Sequence, residues 1–206
     1  MNTNIDINKR IDDFNKKYQN IANDEYELEK LRRKFVNDFS IDNLLNLPIE
    51  NYVIGAGNKD SFCYRIEKEL KRLGTMPPYS GSTRYGVWVD ATSYKQGTID
   101  YHVDRAFGTD SDYVEAYKKV IQAITDLIKA GEKDDGDARH AIYDSPLDKP
   151  FKYKILYTYY PDKYLNICAK NHAENAAYIL GNVCPSNNEL LDITDSISDW
   201  RDSNEK

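Results

Sequence analysis

Apolar residues recur at intervals of three and four in several parts of the chain, which is the spacing of one face of an α-helix. The first 40 residues carry two such stripes, so they predict two helices that break near Asn23. A further stripe predicts a helix over residues 58–73 that ends at Gly74. The clearest pattern predicts a helix over residues 112–130. Its expected buried stripe consists of Val114, Tyr117, Ile121, Ile124 and Ile128.

The face of the predicted helix 58–73 that lies opposite its apolar stripe is strongly charged. It holds Arg65, Lys68, Lys71 and Arg72 among acidic neighbours. Most faces of this kind are solvated, and contact with phosphate groups is the alternative. A solvated face is therefore the expectation for this helix.

Runs of β-forming residues predict strands elsewhere in the chain. Residues 85–90 and 98–104 form two such runs on either side of a short polar loop, and together they predict a hairpin. Because side chains alternate between the two faces of a strand, Val87 and Val89 share one face and Trp88 lies on the other. The hairpin therefore directs one tryptophan away from the valines.

Residues 151–168 are dense in tyrosine and lysine, and they predict two consecutive strands that turn at Pro161. Tyrosine supplies a flat apolar face with a polar tip, and lysine supplies a mobile cation. Strands that combine the two suit a surface that holds a planar anionic partner, and nucleic acid is such a partner. The alternative is that the tyrosines are half-buried sheet residues with solvated lysines beside them.

These elements predict an α+β fold, in which a mainly antiparallel sheet carries helices 58–73 and 112–130 on one face, with the N-terminal helices docked beside it. Residues 132–150 are expected to form an acidic loop, and a last helix is expected over residues 170–180. The expected domains are an N-terminal helical segment at 1–40, an α+β recognition domain at 41–182 and an acidic linker or tail at 183–206.

The formal net charge of −6 at first argues against a nucleic-acid partner. Two acidic segments, residues 132–149 and 183–206, account for more than this charge. The rest of the chain is therefore close to neutral and can present basic patches. Charge permits a nucleic-acid partner without supporting one.

Targeting signals and cysteine spacing point to a reducing compartment. The first residues have neither the basic nor the apolar region of a secretory signal, so export is not expected, and no stretch is long and apolar enough to cross a membrane. Cys63, Cys168 and Cys184 have neither the spacing of a disulfide framework nor that of a zinc site. We therefore expect a cytoplasmic protein that has no membrane partner, no metal and no cofactor.

Four short stretches occur in order along the chain: KDSFCY at 59–64, LG at 73–74, RYGVWV at 84–89, and FKYKILY followed by YPDKYL within 151–165. Together they resemble the N-terminal region that precedes the AAA+ motor in McrB-like restriction proteins, over about residues 30–182. In that family this region is thought to recognise the DNA target, often a modified base, while the motor hydrolyses nucleotide and a partner subunit cuts. The resemblance implies the same role here.

The chain departs from the full-length family pattern in one respect, because it contains no G-x-x-x-x-G-K-[ST] phosphate loop. The motor is therefore expected on another chain or another part of the protein. The chain is either an excised recognition domain or an independent protein that uses the same module, and the polar end at 201–206 favours the first.

The expected function is recognition of a DNA target, without catalysis, for a fused or separate AAA+ motor and its nuclease subunit. A protein that reads a modified base in duplex DNA usually extrudes that base and stacks it between aromatic side chains. The small-residue loop 77–83, with Ser82, is the expected lip of the pocket. The available aromatic walls are Tyr79, Tyr85, Trp88, Tyr157 and Tyr159. The expected phosphate contacts are Arg84, Lys152, Lys154 and Lys163.

Two functions of other classes stay open. A protein-interaction module that tethers a nuclease or regulator to the motor would explain the net negative charge better. A small metal-dependent nuclease would need a cluster of acidic residues, and the candidates for it match no defined spacing. Those candidates are Asp90, Asp100, Asp104 and Glu115. A cysteine nucleophile is not favoured, because Cys63 adjoins the apolar face of its predicted helix.

Overall fold

The computed structural model describes residues 9–13, 21–76, 78–133, 135–167, 169–180, 190–195 and 197. The chain divides into two compact units. The main unit is residues 31–166, and the terminal unit is residues 1–30 together with 167–206. The domain boundaries expected at 40/41 and 182/183 stay predictions.

The described residues are predominantly helical, so the predicted α+β fold with a mainly antiparallel sheet is wrong. The sheet in this part of the chain is one two-stranded hairpin. The α-helices are α1 (residues 9–13), α2 (Ile21–Asp38), α3 (Ile41–Leu45), α4 (Phe62–Tyr64), α5 (Ala91–Lys95), α6 (Tyr113–Glu132), α7 (Gly136–Asp144), α8 (Lys149–Tyr159) and α9 (Lys170–Ile179), and residues 190–195 are also helical. Short 3₁₀ segments are Ile49–Asn51, Lys71–Leu73, Pro78–Tyr85 and Asp110–Asp112, and Arg65–Glu69 is π-helical.

The predicted hairpin is present, in a shorter form. Strands β1 (Val87–Val89) and β2 (Tyr101–Val103) pair antiparallel, and Trp88 lies opposite His102. In β1 the side chains of Val87 and Val89 are buried and that of Trp88, the residue between them in sequence, is half-buried, as side-chain alternation predicts. The connection is helical rather than a plain loop, because Asp90 caps α5 by accepting hydrogen bonds from the amides of Thr92 and Ser93.

Helix α6 confirms the strongest helical pattern of the sequence. Four residues of the predicted stripe are buried in it: Tyr117, Ile121, Ile124 and Ile128. Val114, the fifth, is 49 % exposed, because it lies in the first turn, before the helix enters the core. Residues 132–150 were expected to form a loop, but they contain α7, which Asp135 caps at the amide of Ala138.

The tyrosine- and lysine-rich residues form a helix and not two strands. Helix α8 begins after Asp148, which accepts a hydrogen bond from the amide of Phe151, and it has a proline in its first turn. Eight of its residues are buried, and they lie around most of its circumference. A helix buried in this way has no amphipathic stripe in its sequence, and its aromatic and β-branched residues are the types that predict a strand.

The polar tips of this segment donate to the carbonyl ends of other helices. Lys154 Nζ donates to the carbonyls of Leu70 (2.7 Å) and Gly74 (2.8 Å), where the helical segment 62–73 ends. Lys152 Nζ donates to Ile142 (2.7 Å) and Tyr143 (3.0 Å) in the last turn of α7. The last carbonyls of a helix have no partner within that helix, and a lysine there also opposes the negative end of its dipole.

Tyr159, the last residue of α8, and the residues after it continue this pattern. Tyr159 Oη donates to the carbonyl of Phe39 (2.5 Å), directly after α2, and Tyr160 Oη donates to that of Ile128 (2.8 Å) near the end of α6. Lys163 donates to the carbonyl of Glu132 at the end of the same helix. Tyrosine and lysine side chains thus act here as donors to main-chain carbonyl oxygens near helix ends.

An aromatic cluster forms the centre of the main unit. Phe62 is fully buried, and its ring lies 5.2 Å from that of Phe35, 5.1 Å from Phe39, 5.7 Å from Tyr52 and 6.3 Å from Phe151. These residues come from separate segments of the chain. Ring contacts at such distances add to the stabilisation that apolar burial provides.

The terminal unit contains α9, whose Ala173 and Ala177 are buried. Leu190, Leu191, Ile193 and Ile197 are also buried, and Trp200 lies outside the described residues. The two other cysteines of the chain, Cys168 and Cys184, lie outside them as well. No helix among the described residues has the length and hydropathy needed to cross a membrane.

Replacement of Ile124 by alanine should lower the free energy of unfolding by about 2–5 kcal/mol, because the side chain is fully buried in α6. The matched control is Val114→Ala on the same helix, which is 49 % exposed and should change the free energy of unfolding by less than about 0.5 kcal/mol. Urea denaturation of the three proteins measures both values. Equal stabilities of the two variants would contradict the packing of α6.

Burial lowers the pKa of Lys154 to about 7, whereas an unfolded chain keeps the ordinary value of 10.5. Between these values the unfolded state binds more protons, so the contribution of Lys154 to stability rises with pH, by up to about 1.4 kcal/mol per pH unit. Lys154→Met should remove this part of the slope. Urea denaturation of both proteins at pH 7, 8 and 9 tests this, and the exposed Lys118→Met is the control. Parallel pH profiles for wild type and Lys154→Met would refute it.

Candidate nucleic-acid interface

A cavity of about 490 Å³ lies beside the 3₁₀ segment Pro78–Tyr85, which overlaps the loop 77–83 that the sequence predicts as the lip of a pocket. Cationic side chains are prominent in its wall: Lys68, Lys71 and Arg84. Apolar surface comes from Ile54 and Met76. Polar groups come from Glu67, Thr75 and Ser82. The cavity has the size of a small-molecule site, roughly 300–1,000 Å³, and combines apolar walls with a few polar groups.

The helical segment 62–73 supplies three of these residues. Ser61 caps its first turn, and the helix widens to π geometry over Arg65–Glu69, where the amide of Leu70 bonds to the carbonyl of Arg65 at 2.9 Å. Single π turns occur frequently at functional sites, because the extra residue changes the direction of side chains. The segment ends at Gly74, whose φ of 131° is open to glycine and strained for other residues.

The opposite wall comes from the loop 78–85. Gly81 interrupts its 3₁₀ geometry with a φ of 53° and a ψ of −143°. Arg84 is only 4 % exposed, and its Nε donates to the carbonyl of Gly81 at 2.8 Å. This hydrogen bond fixes the position of the Arg84 side chain and its positive charge. Lys68 and Lys71, by contrast, are exposed.

Glu67 is the acidic residue in the described wall of the cavity. Its Oε1 accepts a hydrogen bond from Lys68 Nζ at 2.5 Å, and its Oε2 accepts one from the hydroxyl of Tyr85. Burial raises the pKa of Glu67, but these hydrogen bonds, together with the charges of Lys68 and Arg84, outweigh burial, and the pKa lies below its ordinary value. The carboxyl group is therefore ionised at neutral pH.

Tyr85 lies behind Glu67 and is fully buried, so it is not the aromatic wall that the sequence predicts. Its carbonyl accepts a hydrogen bond from Tyr52 Oη at 2.6 Å, and its ring packs edge-on against that of Phe151 at 5.1 Å. Burial raises the pKa of the Tyr85 hydroxyl well above its ordinary value, so this group donates a hydrogen bond at all moderate pH values.

Ser82 and Arg84 are the sequence-predicted site residues that line this cavity. Lys152 and Lys154, predicted to hold phosphates, are buried and donate to main-chain carbonyls, so their burial removes them from the candidate surface. Lys163 is exposed and contacts the carbonyl of Glu132.

The predicted aromatic walls lie in several places. Tyr157 is half-buried on α8, and Tyr159 uses its hydroxyl at the carbonyl of Phe39. Trp88 stacks on His102 with ring centroids 5.7 Å apart, so it forms a half-exposed aromatic pair on the hairpin. The side chain of Tyr79 lies outside the described residues.

The sequence contained a partial signal for the site. The charged face of the predicted helix 58–73 held Lys68 and Lys71, but a solvated face was the expectation. For Glu67 no local signal exists, because its partner Tyr85 is 18 residues away in sequence. Only the folded chain brings the two together.

A second cavity, of about 430 Å³, lies between α6 and α7. Its apolar surface comes from Ala123, Leu127, Ala141 and Pro146. Charged residues stand at its edges, with Lys119, Asp126 and Asp144 among them. This groove offers a contact surface to an apolar segment of another protein.

Groups for metal or thiol chemistry are not assembled in the described part of the chain. It contains no cluster of three metal-ligating side chains. Asp90 and Asp104, two of the acidic residues considered for a nuclease, accept hydrogen bonds from nearby main-chain amides. Burial raises the pKa of the Cys63 thiol well above its ordinary value, so this cysteine is not an activated nucleophile.

Comparison with known proteins adds no family to this picture. No family model, no curated protein and no solved structure matches the chain. The resemblance to the N-terminal region of McrB-like proteins therefore depends on the four short stretches alone. Any function has to be argued from the cavity and from these residues.

Proposed function

We propose that this chain recognises a DNA target, without catalysis of its own, for a McrB-like NTP-driven restriction system. The observation that carries the proposal is the cavity beside loop 78–85, where Lys68, Lys71 and Arg84 surround a space with apolar walls. Cations position a nucleic-acid backbone, and a concave polar site reads a base.

The placement of the cations supports a backbone contact. Lys68 and Lys71 are exposed on the same helical segment, and Arg84 lines the same cavity from a different segment of the chain. The net charge of −6 does not oppose this, because exposed charges more than about 10 Å away are largely screened at moderate salt. Local cations then decide the affinity for phosphate.

The short stretches that resemble the McrB-like region also support the proposal. Those at 73–74 and 84–89 flank the cavity: Gly74 precedes Thr75, and Arg84 lies in its wall. The stretch at 59–64 contains Ser61, which caps the helical segment that carries Lys68. Of the four stretches, that at 84–89 thus contributes directly to the cavity wall, through Arg84.

In this proposal the target is a modified base or a specific site in double-stranded DNA. The motor that hydrolyses nucleotide, fused or separate, and the nuclease subunit act after the target is bound. The chain therefore contributes binding energy and selectivity, and the chemistry belongs to its partners.

The double variant Lys68→Glu with Lys71→Glu should weaken binding to every duplex, because it replaces two cations that face the phosphate backbone. It should also reduce the slope of log affinity against log salt by about one for each phosphate that the variant no longer neutralises. Fluorescence anisotropy of a labelled duplex at several salt concentrations measures both quantities. The matched control is Lys118→Glu with Lys129→Glu, which makes the same charge change at exposed positions of α6.

A full loss of affinity in the control pair as well would mean that net charge alone decides binding. Wild-type affinity and an unchanged salt slope in the Lys68 and Lys71 variant would remove the cavity from the proposal.

A protein-interaction module is the second candidate function, and the apolar groove between α6 and α7 favours it. In this case the groove holds an apolar segment of a nuclease or regulator. The net negative charge of the chain then does not oppose binding, because the partner is not a polyanion. The same titration separates the two functions, because release of counterions is obligatory for DNA binding and incidental for the interaction module. Absence of salt-dependent affinity for any duplex would favour the second.

A further inference from the structure

Among the described residues that line the cavity, Glu67 is the acidic one and lies beside three cations. A carboxylate group offers about four acceptor positions, and the contacts with Lys68 and Tyr85 use about half of them. The group lines the cavity, so that its remaining lone pairs are available to a molecule bound there. An acceptor beside donors is therefore fixed at this wall.

The position of this acceptor does not vary freely, because Tyr85 holds it from the core. The Tyr85 ring is fully buried against Phe151, and its main chain is bonded to Tyr52 Oη. The buried Tyr85 hydroxyl and the exposed Lys68 therefore hold the Glu67 carboxylate in place. The carboxylate still remains accessible to a ligand, because about a quarter of the Glu67 side chain is exposed.

This arrangement matches one class of nucleobase. Bases with an exocyclic amino group can donate a hydrogen bond to a carboxylate, as cytosine N4 does to glutamate or aspartate. Thymine and uracil present a carbonyl oxygen at that position, which a carboxylate repels. Ile54 and Met76 supply apolar surface for the faces of the base, and Lys68, Lys71 and Arg84 line the same cavity.

We propose that Glu67 is the specificity-determining residue of this cavity, and that it accepts a hydrogen bond from the amino group of an extruded base, with Tyr85 as its positioning residue. This inference rests on the proposed function, since it requires that the cavity bind DNA. It adds the class of base that is bound, one with an amino group, and the class that is rejected.

Two duplexes that differ only in one bulged base, cytosine or uracil, test the inference with the full chain. The bulge removes the cost of breaking a base pair, so only the contacts of the base itself differ. Wild type should bind the cytosine duplex roughly 5- to 150-fold more tightly, the range of one good base contact. Glu67→Gln should remove this preference, because an amide group can also donate to the carbonyl of uracil.

The control variant is Glu115→Gln, which makes the same chemical change at an exposed position of α6 and should keep the preference for cytosine. Tyr85→Phe tests the positioning role. Loss of its hydroxyl should raise the pKa of Glu67, so the preference for cytosine, which disappears as Glu67 is protonated, should disappear at a higher pH than in wild type. A purely structural role of Tyr85 would lower the melting temperature and leave this pH unchanged.

The outcomes separate the two proposals. Equal binding of the cytosine and uracil duplexes by wild type overturns the role of Glu67 and leaves DNA recognition in place. Absence of binding to either duplex overturns the proposed function and the inference together. If Glu67→Gln does not fold, the pH dependence of Tyr85→Phe decides, and an unchanged profile counts against the inference.

Discussion

The main unit depends on the satisfaction of helix carbonyl ends inside its core. Segment 62–73 and helices α6 and α7 end against α8 or the residues that follow it, where water is largely excluded. Each end leaves carbonyl oxygens without a partner in its own helix, and burial without a donor would cost about 1–3 kcal/mol for each group. Lysine and tyrosine side chains reach across the interior and supply these donors. The carboxyl end of α8 is satisfied in the same way, because Arg32 Nη1 donates a hydrogen bond to the carbonyl of Thr158 at 2.8 Å.

The candidate site inherits its geometry from this arrangement. Lys154 donates hydrogen bonds to the carbonyls of Leu70 and Gly74. Leu70 directly precedes Lys71 and Gly74 directly precedes Thr75, and both Lys71 and Thr75 line the cavity. Phe151, also on α8, packs against Tyr85, which in turn holds Glu67. The wall of the cavity is therefore supported by buried contacts, and a site supported in this way keeps its hydrogen-bonding groups in place when a ligand enters.

The electrostatics of the cavity is determined by the charged residues that line it and not by the net charge of the chain. The chain as a whole is acidic, yet Lys68, Lys71 and Arg84 line one cavity, and Glu67 is kept ionised beside them. Cations attract a phosphate backbone regardless of its sequence, whereas a fixed acceptor distinguishes one base edge from another. Affinity and selectivity would thus come from different residues of the same wall, and this division of roles is what a target-recognition module needs.

The sequence alone determined helix α6, most of the helix predicted at 58–73 with its stop at Gly74, and the hairpin with Trp88 on the other face from the valines, because each depends on local periodicity or on a glycine at a turn. Ser82, in the predicted loop 77–83, and Arg84, directly after it, line the cavity, and their contact with DNA stays a prediction. Only the tertiary structure decided α8, since a helix buried around most of its circumference has no amphipathic stripe and its residues favour strands in isolation. It also decided the roles of Lys152 and Lys154, because a lysine is buried only where carbonyl groups from distant segments converge on it. The pairing of Glu67 with Tyr85 follows the same physical rule: the partners of a buried polar group are chosen by the fold.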